Sequence, residues 1–248
     1  MANLTADAPE SRERPRFPRF LRVERRNSFV FDFDSTLVTI ETLDTLLKNC
    51  LSDEETRRRI DDITARAMNG ELDFDASLSG RLRLARARTE DFARMAGEIL
   101  KFVTPGMAEV LEFLKRRGQE LFIVSGGFAE IVRPVAGLFG VPDGHCFANE
   151  FIADGDGNVI GVRTDNPLAR EGGKQRVLRA LREEGRLPGT VVMLGDGMSD
   201  CAVYTDGLAD IFIGCGFNVV RPAVKAAAPV FVETAAELRP LLEALLRG

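Results

Sequence analysis

The stretch Ser28-Phe-Val-Phe-Asp-Phe-Asp-Ser-Thr36 decides the fold. Phe29, Val30 and Phe31 form an unbroken apolar run, and the run ends in acids and hydroxyls. Alternating polarity marks a strand with one wet face. An unbroken run of β-formers marks a strand buried on both faces, as in a parallel sheet. The same form recurs along the chain. Glu120-Leu-Phe-Ile-Val124 runs into Ser125-Gly126-Gly127, Thr190-Val-Val-Met-Leu194 into Gly195-Asp196-Gly197, Asp210-Ile-Phe-Ile213 into Gly214, and Pro229-Val-Phe-Val232 into a helix. Segments of helical period separate these runs. After Thr104-Pro105, read as an N-cap and N1 proline, Met107, Val110, Leu111 and Leu114 fall on one stripe. Thr234 and Glu237 have capping-box spacing for a last helix. This alternation predicts an α/β fold, a doubly wound, Rossmann-like parallel sheet with helices on both faces.

Residues 51–101 interrupt the alternation and carry no strand signal. Ser52 and Glu55 show capping-box spacing, charged residues including Arg57, Arg58, Arg59, Asp61 and Asp62 follow, and Thr89 reads as a further N-cap. The expectation is a small helical cap at 51–101, inserted after the first strand into a core made of 28–50 and 102–248. Residues 1–27 hold seven arginines, four acids and three prolines, and read as a basic, flexible arm.

The composition excludes much chemistry. The 248 residues contain one histidine, His145, and four cysteines without a C-x-x-C pair. A multi-histidine metal site, a zinc ribbon and a thioredoxin-type site are all excluded. His145, just before the Phe147 run, reads as structural. No apolar run approaches the roughly 18 residues of a membrane span. The net charge is −5 although the arm is basic, so the body is acidic and suits neither a nucleic-acid backbone nor an anionic membrane. The expected setting is cytoplasmic, with reduced cysteines, as a monomer or homodimer. Local motifs fail too. Asp154-Gly-Asp-Gly-Asn158 starts like a calcium loop but has Val159 and Asp165 where Gly and Glu are needed, so it reads as a hairpin turn between 147–152 and 159–162. Gly195-x-Gly197 and Gly214-x-Gly216 lack the third glycine of a dinucleotide loop. Ser125 lacks the glycine two residues earlier that a nucleophile elbow requires.

What remains sits at the strand ends, where open parallel sheets bind ligands. Asp32 and Asp34 follow the first strand, Ser125-Gly126-Gly127 the second, and Gly195-Asp196-Gly-Met-Ser199-Asp200 a later one; Glu171-Gly-Gly-Lys174 opens a helix at the same level. So many carboxylates in a small site call for a cation between them, and all-oxygen ligands favour Mg²⁺ beside a substrate phosphate. Lys174, Ser125 and the amides after Gly126 suit phosphate oxygens. Asp32 and Asp34, two apart in extended chain, would point to one side, one attacking phosphorus while the other moves protons. The chemistry implied is phosphoryl transfer through an aspartyl-phosphate.

Taken in order, Asp32-x-Asp34-Ser-Thr36, Ser125, Lys174 and Gly195-Asp196-Gly-x-x-Asp200 resemble the four motifs of the haloacid dehalogenase superfamily. The likeness extends to the phosphoserine phosphatase family over about residues 28–246. It includes Glu41 with Leu43-Asp44, Ala67-Met-Asn-Gly70, Phe74, Arg81-Leu82, Ser125-Gly-Gly-Phe128, Phe147-Ala-Asn-Glu150 and Glu171-Gly-Gly-Lys174. The resemblance implies that Asp32 is the nucleophile and Asp34 the acid/base. It implies Mg²⁺ on the Asp32 carboxylate, the Asp34 carbonyl and Asp196, with Asp200 beside or behind it. Ser125, Gly126, Lys174 and Ser199 would hold the phosphate of a small phosphorylated metabolite. Glu41 would take its ammonium group and Arg81 its carboxylate, with Met68 and Phe74 walling the pocket. Such a zwitterion needs an acid and an arginine fork held apart.

Three positions depart from the family pattern. Thr42 and Phe217 stand where glycines are usual, and Pro134 lies inside a helical stripe, where a kink costing roughly 3 kcal/mol is expected. The implied activity is Mg²⁺-dependent hydrolysis of O-phosphoserine. The alternatives are another small phosphomonoester under a drifted cap, or a non-enzymatic binding module that uses the basic arm.

Overall fold

A computed structural model of the chain describes residues 26–51, 53–68, 72 and 74–247. Most of the arm, 1–25, and Ser52 of the expected capping box lie outside the described residues. In chain order the elements are β1 (Ser28–Phe31), α1 (Thr42–Cys50), α2 (Glu54–Met68), α3 (Phe74–Leu84), α4 (Thr89–Glu98), α5 (Met107–Arg116), β2 (Glu120–Phe128), α6 (Ala129–Leu138), β3 (Cys146–Asn149), β4 (Phe151–Ala153), β5 (Val159–Val162), α7 (Gly173–Glu183), β6 (Val191–Gly195), α8 (Met198–Thr205), β7 (Ile211–Cys215), α9 (Pro222–Ala227), β8 (Val230–Val232) and α10 (Ala235–Leu245).

Six strands form one parallel sheet in the order β3-β2-β1-β6-β7-β8, so the α/β expectation is met. The unbroken apolar runs explain both faces. Phe29, Phe31, Ile123 and Leu194 enter one buried layer, while Val30, Phe122, Val124 and Met193 enter the other. In register, Val30 lies between Phe122 and Met193, and Phe31 between Ile123 and Leu194. The chain runs outward from β1 to β2 and β3, then returns to place β6 on the other flank of β1. That reversal opens a crevice at the carboxyl ends of β1 and β6.

Asn27, assigned to the arm by composition, belongs to the body. It is fully buried, its Nδ2 donates to Gln119 Oε1 at 2.8 Å, and its Oδ1 accepts from Thr190 N at 3.1 Å. One side chain thus ties the segments entering β1, β2 and β6.

Several local readings shift. The 147–152 run divides at Glu150: Phe147 lies in the sheet edge β3, and the hairpin is β4 paired antiparallel with β5. Asp154 builds its turn, accepting from Asn158 N at 2.8 Å and Asp156 N at 3.0 Å. Helix α5 starts at Met107, not at Pro105, because the Thr104 hydroxyl is engaged by Asn218 Nδ2 at 2.9 Å. Thr89 is the first residue of α4 and not its cap; Asp91 accepts from Arg88 N at 2.8 Å instead. Asp53 caps α2 through Thr56 N at 2.7 Å. Thr234 caps α10, but Glu237 reaches back to Glu233 N and not to Thr234. Helix α6 continues through Pro134.

Residues 53–102 carry four helical segments and no strand among the described residues. Helices α2 and α3 pack on each other, and α3 on β5; α4 packs on α1 and α6, against the body. His145 stacks on Phe122 with ring centroids 4.0 Å apart, and its Nδ1 lies 3.1 Å from Leu121 O, which suits a structural role. None of the four cysteines is in a disulfide. No helix among the described residues is long and apolar enough to cross a membrane.

Candidate active site

The strand β1 stops at Phe31, earlier than the extended reading of Asp32-x-Asp34 requires. A turn brings the two acids together instead of a pleat. Asp32 N donates to Leu194 O at 2.8 Å, and Leu37 N and Val38 N return to Phe33 O. Ser35 sits at φ 52°, left-handed for a residue with a Cβ. Asn218 holds this turn from outside, its Nδ2 donating to Ser35 O at 3.0 Å as well as to Thr104 Oγ1. Asp34 Oδ1 then accepts from Thr42 N at 3.2 Å, at the head of α1. Thr42 is buried, so the position that departs from the family pattern is the one that orients Asp34.

Lys174 lies in the first turn of α7, after Gly172 at φ 70° and Gly173, where a Cβ would stand 2.7 Å from Leu168 Cα. Its Nζ is 2.6 Å from Asp32 Oδ1 and 2.6 Å from Asp200 Oδ1, and the side chain is buried. Burial opposes its charge, but Asp200 and Asp32 outweigh that and raise its pKa. The other oxygen of Asp200 accepts from Gly197 N at 3.0 Å. Oxygens of Asp32, Asp196 and Asp200 all fall within 4.8 Å of one another. Burial first, then repulsion from Asp32, pushes Asp34 up to about 8 and Asp196 up to about 6. Burial and Asp32 likewise push Asp200 upward, against the pull of Lys174.

With Lys174 and Arg221 set against Asp32, Asp196, Asp200 and Glu41, the cluster keeps excess negative charge, and the carboxylates offer hard oxygen donors. The set therefore fits a hard divalent cation. Asp200, with both oxygens engaged by protein groups, lies behind the other two.

Ser125 is buried, and its Oγ accepts from Gly127 N at 2.9 Å, curling the loop after β2. A Cβ on Gly127 would stand 3.1 Å from Ser125 Oγ, 3.4 Å from Thr42 Oγ1 and 3.7 Å from Asp34 Oδ2, so Ser125, Thr42 and Asp34 face one small space. Asn149 Nδ2 fixes the loop by donating to Gly126 O at 2.8 Å. Gly126 and Ser199 are exposed at the rim. Glu41 accepts from Ser35 Oγ at 2.8 Å. Arg81, on α3, is largely buried; its NH1 is 4.0 Å from Asp44 on α1, and its buried Nε has no partner among the described residues. The side chains of Met68 and Phe74 lie outside the described residues.

Arg221 belongs to none of the sequence motifs. It caps α9 from the loop after β7, donating from Nε to Asp196 Oδ2 at 2.7 Å and from NH2 to Glu41 Oε1 at 2.9 Å. The rule that exposed the other residues, a polar group between strand end and helix start, extends to Arg221-Pro222. Phe217 packs against the core beside this loop.

Lys174, Ser125 and the loop amides are hydrogen-bond donors of the kind that suits a phosphate, and the carboxylates of Asp32 and Asp34 lie beside them. Known proteins resemble this chain over most of its length. Residues 29–204 match the family model of the haloacid dehalogenase-like hydrolases. The human phosphoserine phosphatase is 35% identical over 213 residues, 86% of this chain and 92% of that protein. A crystal structure of a phosphoserine phosphohydrolase-like protein from Francisella tularensis superposes with a TM-score of 0.75 at 30% identity, over 87% of this chain and 99% of that one. A phospho-aspartyl intermediate analogue of a phosphoserine phosphatase superposes at 0.69 and 29% identity, over 89% and 99%.

Proposed function

This chain belongs to the phosphoserine phosphatase family of the haloacid dehalogenase-like hydrolases, and from that premise we propose that it hydrolyses O-phosphoserine to serine and phosphate. Asp32 attacks phosphorus, the bond from phosphorus to the serine oxygen breaks, and Asp34 in its acid form gives that oxygen a proton. The carboxylate left on Asp34 then takes a proton from water, whose oxygen attacks phosphorus. The acyl–phosphate bond breaks, inorganic phosphate leaves and the Asp32 carboxylate is restored.

Lys174 and the Ser125 loop hold the phosphate oxygens, with Gly126 and Ser199 at the entrance. Lys174 also contacts the Asp32 carboxylate and aims it. Asp32, Asp196 and the Asp34 carbonyl would hold Mg²⁺, with Asp200 behind. The ion, when bound, neutralises charge gathering on the phosphate oxygens. Helices α2 and α3 act as the cap that excludes water.

The single observation that carries the substrate is Arg81, a largely buried guanidinium that among the described residues has an unpartnered Nε and a long contact to Asp44. An unsatisfied buried donor costs about 1–3 kcal/mol, which a ligand carboxylate would recover. Glu41, already placed by Ser35, offers the opposite charge to an ammonium group.

The test is turnover of a panel of phosphate esters with and without Mg²⁺. O-phosphoserine is expected to exceed p-nitrophenyl phosphate in kcat/KM by at least about a hundredfold, the worth of two charge-assisted contacts. Arg81→Ala should erase that preference while sparing the generic ester. Equal turnover of both esters by the native protein would sink the substrate assignment.

A further inference from the structure

Away from the active site, a cavity of about 520 Å³ opens where α2 and α3 join α1 and α4. Arg59 of α2, Arg83 of α3 and Arg86 of the linker before α4 line it, over a floor that includes Leu51 and Leu84. Among the described residues none of these three arginines makes an ion pair or a side-chain hydrogen bond, whereas Arg57, Arg58, Arg88 and Arg94 nearby all have carboxylate partners. Of the acids that also line the cavity, Asp53 is near enough to Arg86 for their charges to interact, and both acids have further partners. Asp53 caps α2 through Thr56 N and Oγ1, and Asp91 accepts from Arg88 N and pairs with Arg94.

A second observation is independent of charge. Helix α3 ends with Ala87 N donating to Leu82 O at 3.1 Å and Arg86 N to Arg83 O at 3.1 Å. That is the paired closure whose residue after the cap is left-handed and usually glycine. Here Arg86 holds it, at φ 52°. A long cationic residue is thus kept, against backbone preference, at the lining of the cavity.

We propose that Arg59, Arg83 and Arg86 form a binding site for a small organic polyanion, one bearing two or more phosphate or carboxylate groups on an apolar body. Guanidinium forks match the oxygens of such groups, and the volume suits a ligand of nucleotide size. A ligand held there spans α2, α3 and the linker at once.

The probe is inorganic tripolyphosphate, titrated calorimetrically into the full chain in chelator at low ionic strength. One site is expected, weakening severalfold or more when salt shortens the Debye length. Arg83→Gln should weaken it about tenfold, the scale of one charge-assisted contact. Arg86→Gly should weaken it similarly while the melting temperature holds or rises, since glycine relieves the left-handed backbone. Hydrogen exchange should slow at amides 53–59 and 83–88 on adding the probe. Protection confined to 125–128 and 171–175, or affinity unmoved by both variants, would overturn the proposal.

Discussion

Gly195→Ala tests how tightly the fold and the catalytic acids are interlocked. Gly195 closes β6, and a Cβ added there would stand 2.8 Å from Asp200 Cβ, with the Asp200 carboxylate closer still. Asp200 is fully buried and holds Lys174 at 2.6 Å and Gly197 N at 3.0 Å, so it cannot retreat without breaking both contacts. Losing hydrogen bonds to a charged group costs about 1.5–3 kcal/mol each, and overpacking adds about 1–3 kcal/mol. With partial relaxation the expected loss is about 3–6 kcal/mol, a large share of the ~5–15 kcal/mol typical of a folded domain. At about 2–4 °C per kcal/mol for a chain of this size, the melting temperature falls by about 6–24 °C. Turnover should fall about a hundredfold, because a carboxylate displaced by ~1 Å misplaces Lys174. The assay is urea unfolding of Gly195→Ala alone and in an Asp200→Gly background, which removes the clashing side chain including its Cβ. There the alanine should cost under about 1 kcal/mol, the size of an uncrowded substitution. A cost for Gly195→Ala that is the same in both backgrounds would refute the reasoning.

Other outcomes follow from the same geometry. Asp32→Asn should abolish turnover by at least about a thousandfold, while the melting temperature holds or rises because one of three mutually repelling buried carboxylates loses its charge. In chelator the protein should lose stability between pH 5 and pH 9: Asp34 near 8 and Asp196 near 6 both lie above the ordinary carboxylate range, so their contribution is full in acid and is lost as pH rises through those values. A divalent cation should flatten that slope, as read by melting curves at both pH values with and without Mg²⁺. Asn27→Ala should cost about 1–3 kcal/mol in urea unfolding by removing two buried side-chain hydrogen bonds, to Thr190 N and to Gln119 Oε1, while the backbone N of residue 27 still donates to Gln119.

The sheet was legible because burial on both faces leaves a simple trace, apolar runs without alternation, and every such run in the sequence became a strand. Local starts were less legible, since the residue that looks like a cap can be claimed by a tertiary partner. Thr104 has the right side chain for a cap, but Asn218 takes its hydroxyl from more than a hundred residues away. The division at Glu150 was hidden for a related reason: Phe147 and Phe151 are equally apolar, and only the sheet edge separates their roles. In the site, acids and lysine at strand ends follow from topology alone. Arg221 does not, because its contribution is a reach across the crevice to Glu41, a contact that sequence spacing cannot encode.

The charge pattern of the crevice also explains why the chain manages with a single histidine. Asp32 and Asp200 share Lys174, while Asp196 and Glu41 share Arg221, so two cations serve four acids and, among the described residues, Asp34 pairs with none. Desolvation and the neighbouring acids then hold Asp34 near 8, the range in which a carboxyl can both give and receive a proton at neutral pH. A histidine supplies that range by its nature; here the fold produces it from an aspartate. The two cations differ in how firmly they stay. Lys174 is buried between its partners and is a fixed part of the site, whereas Arg221 is 43% exposed on a long stem. Under the proposed reaction, Asp196 is thus covered by an arginine that can yield, while the lysine beside Asp32 cannot, so Lys174 is the cation placed to hold phosphate.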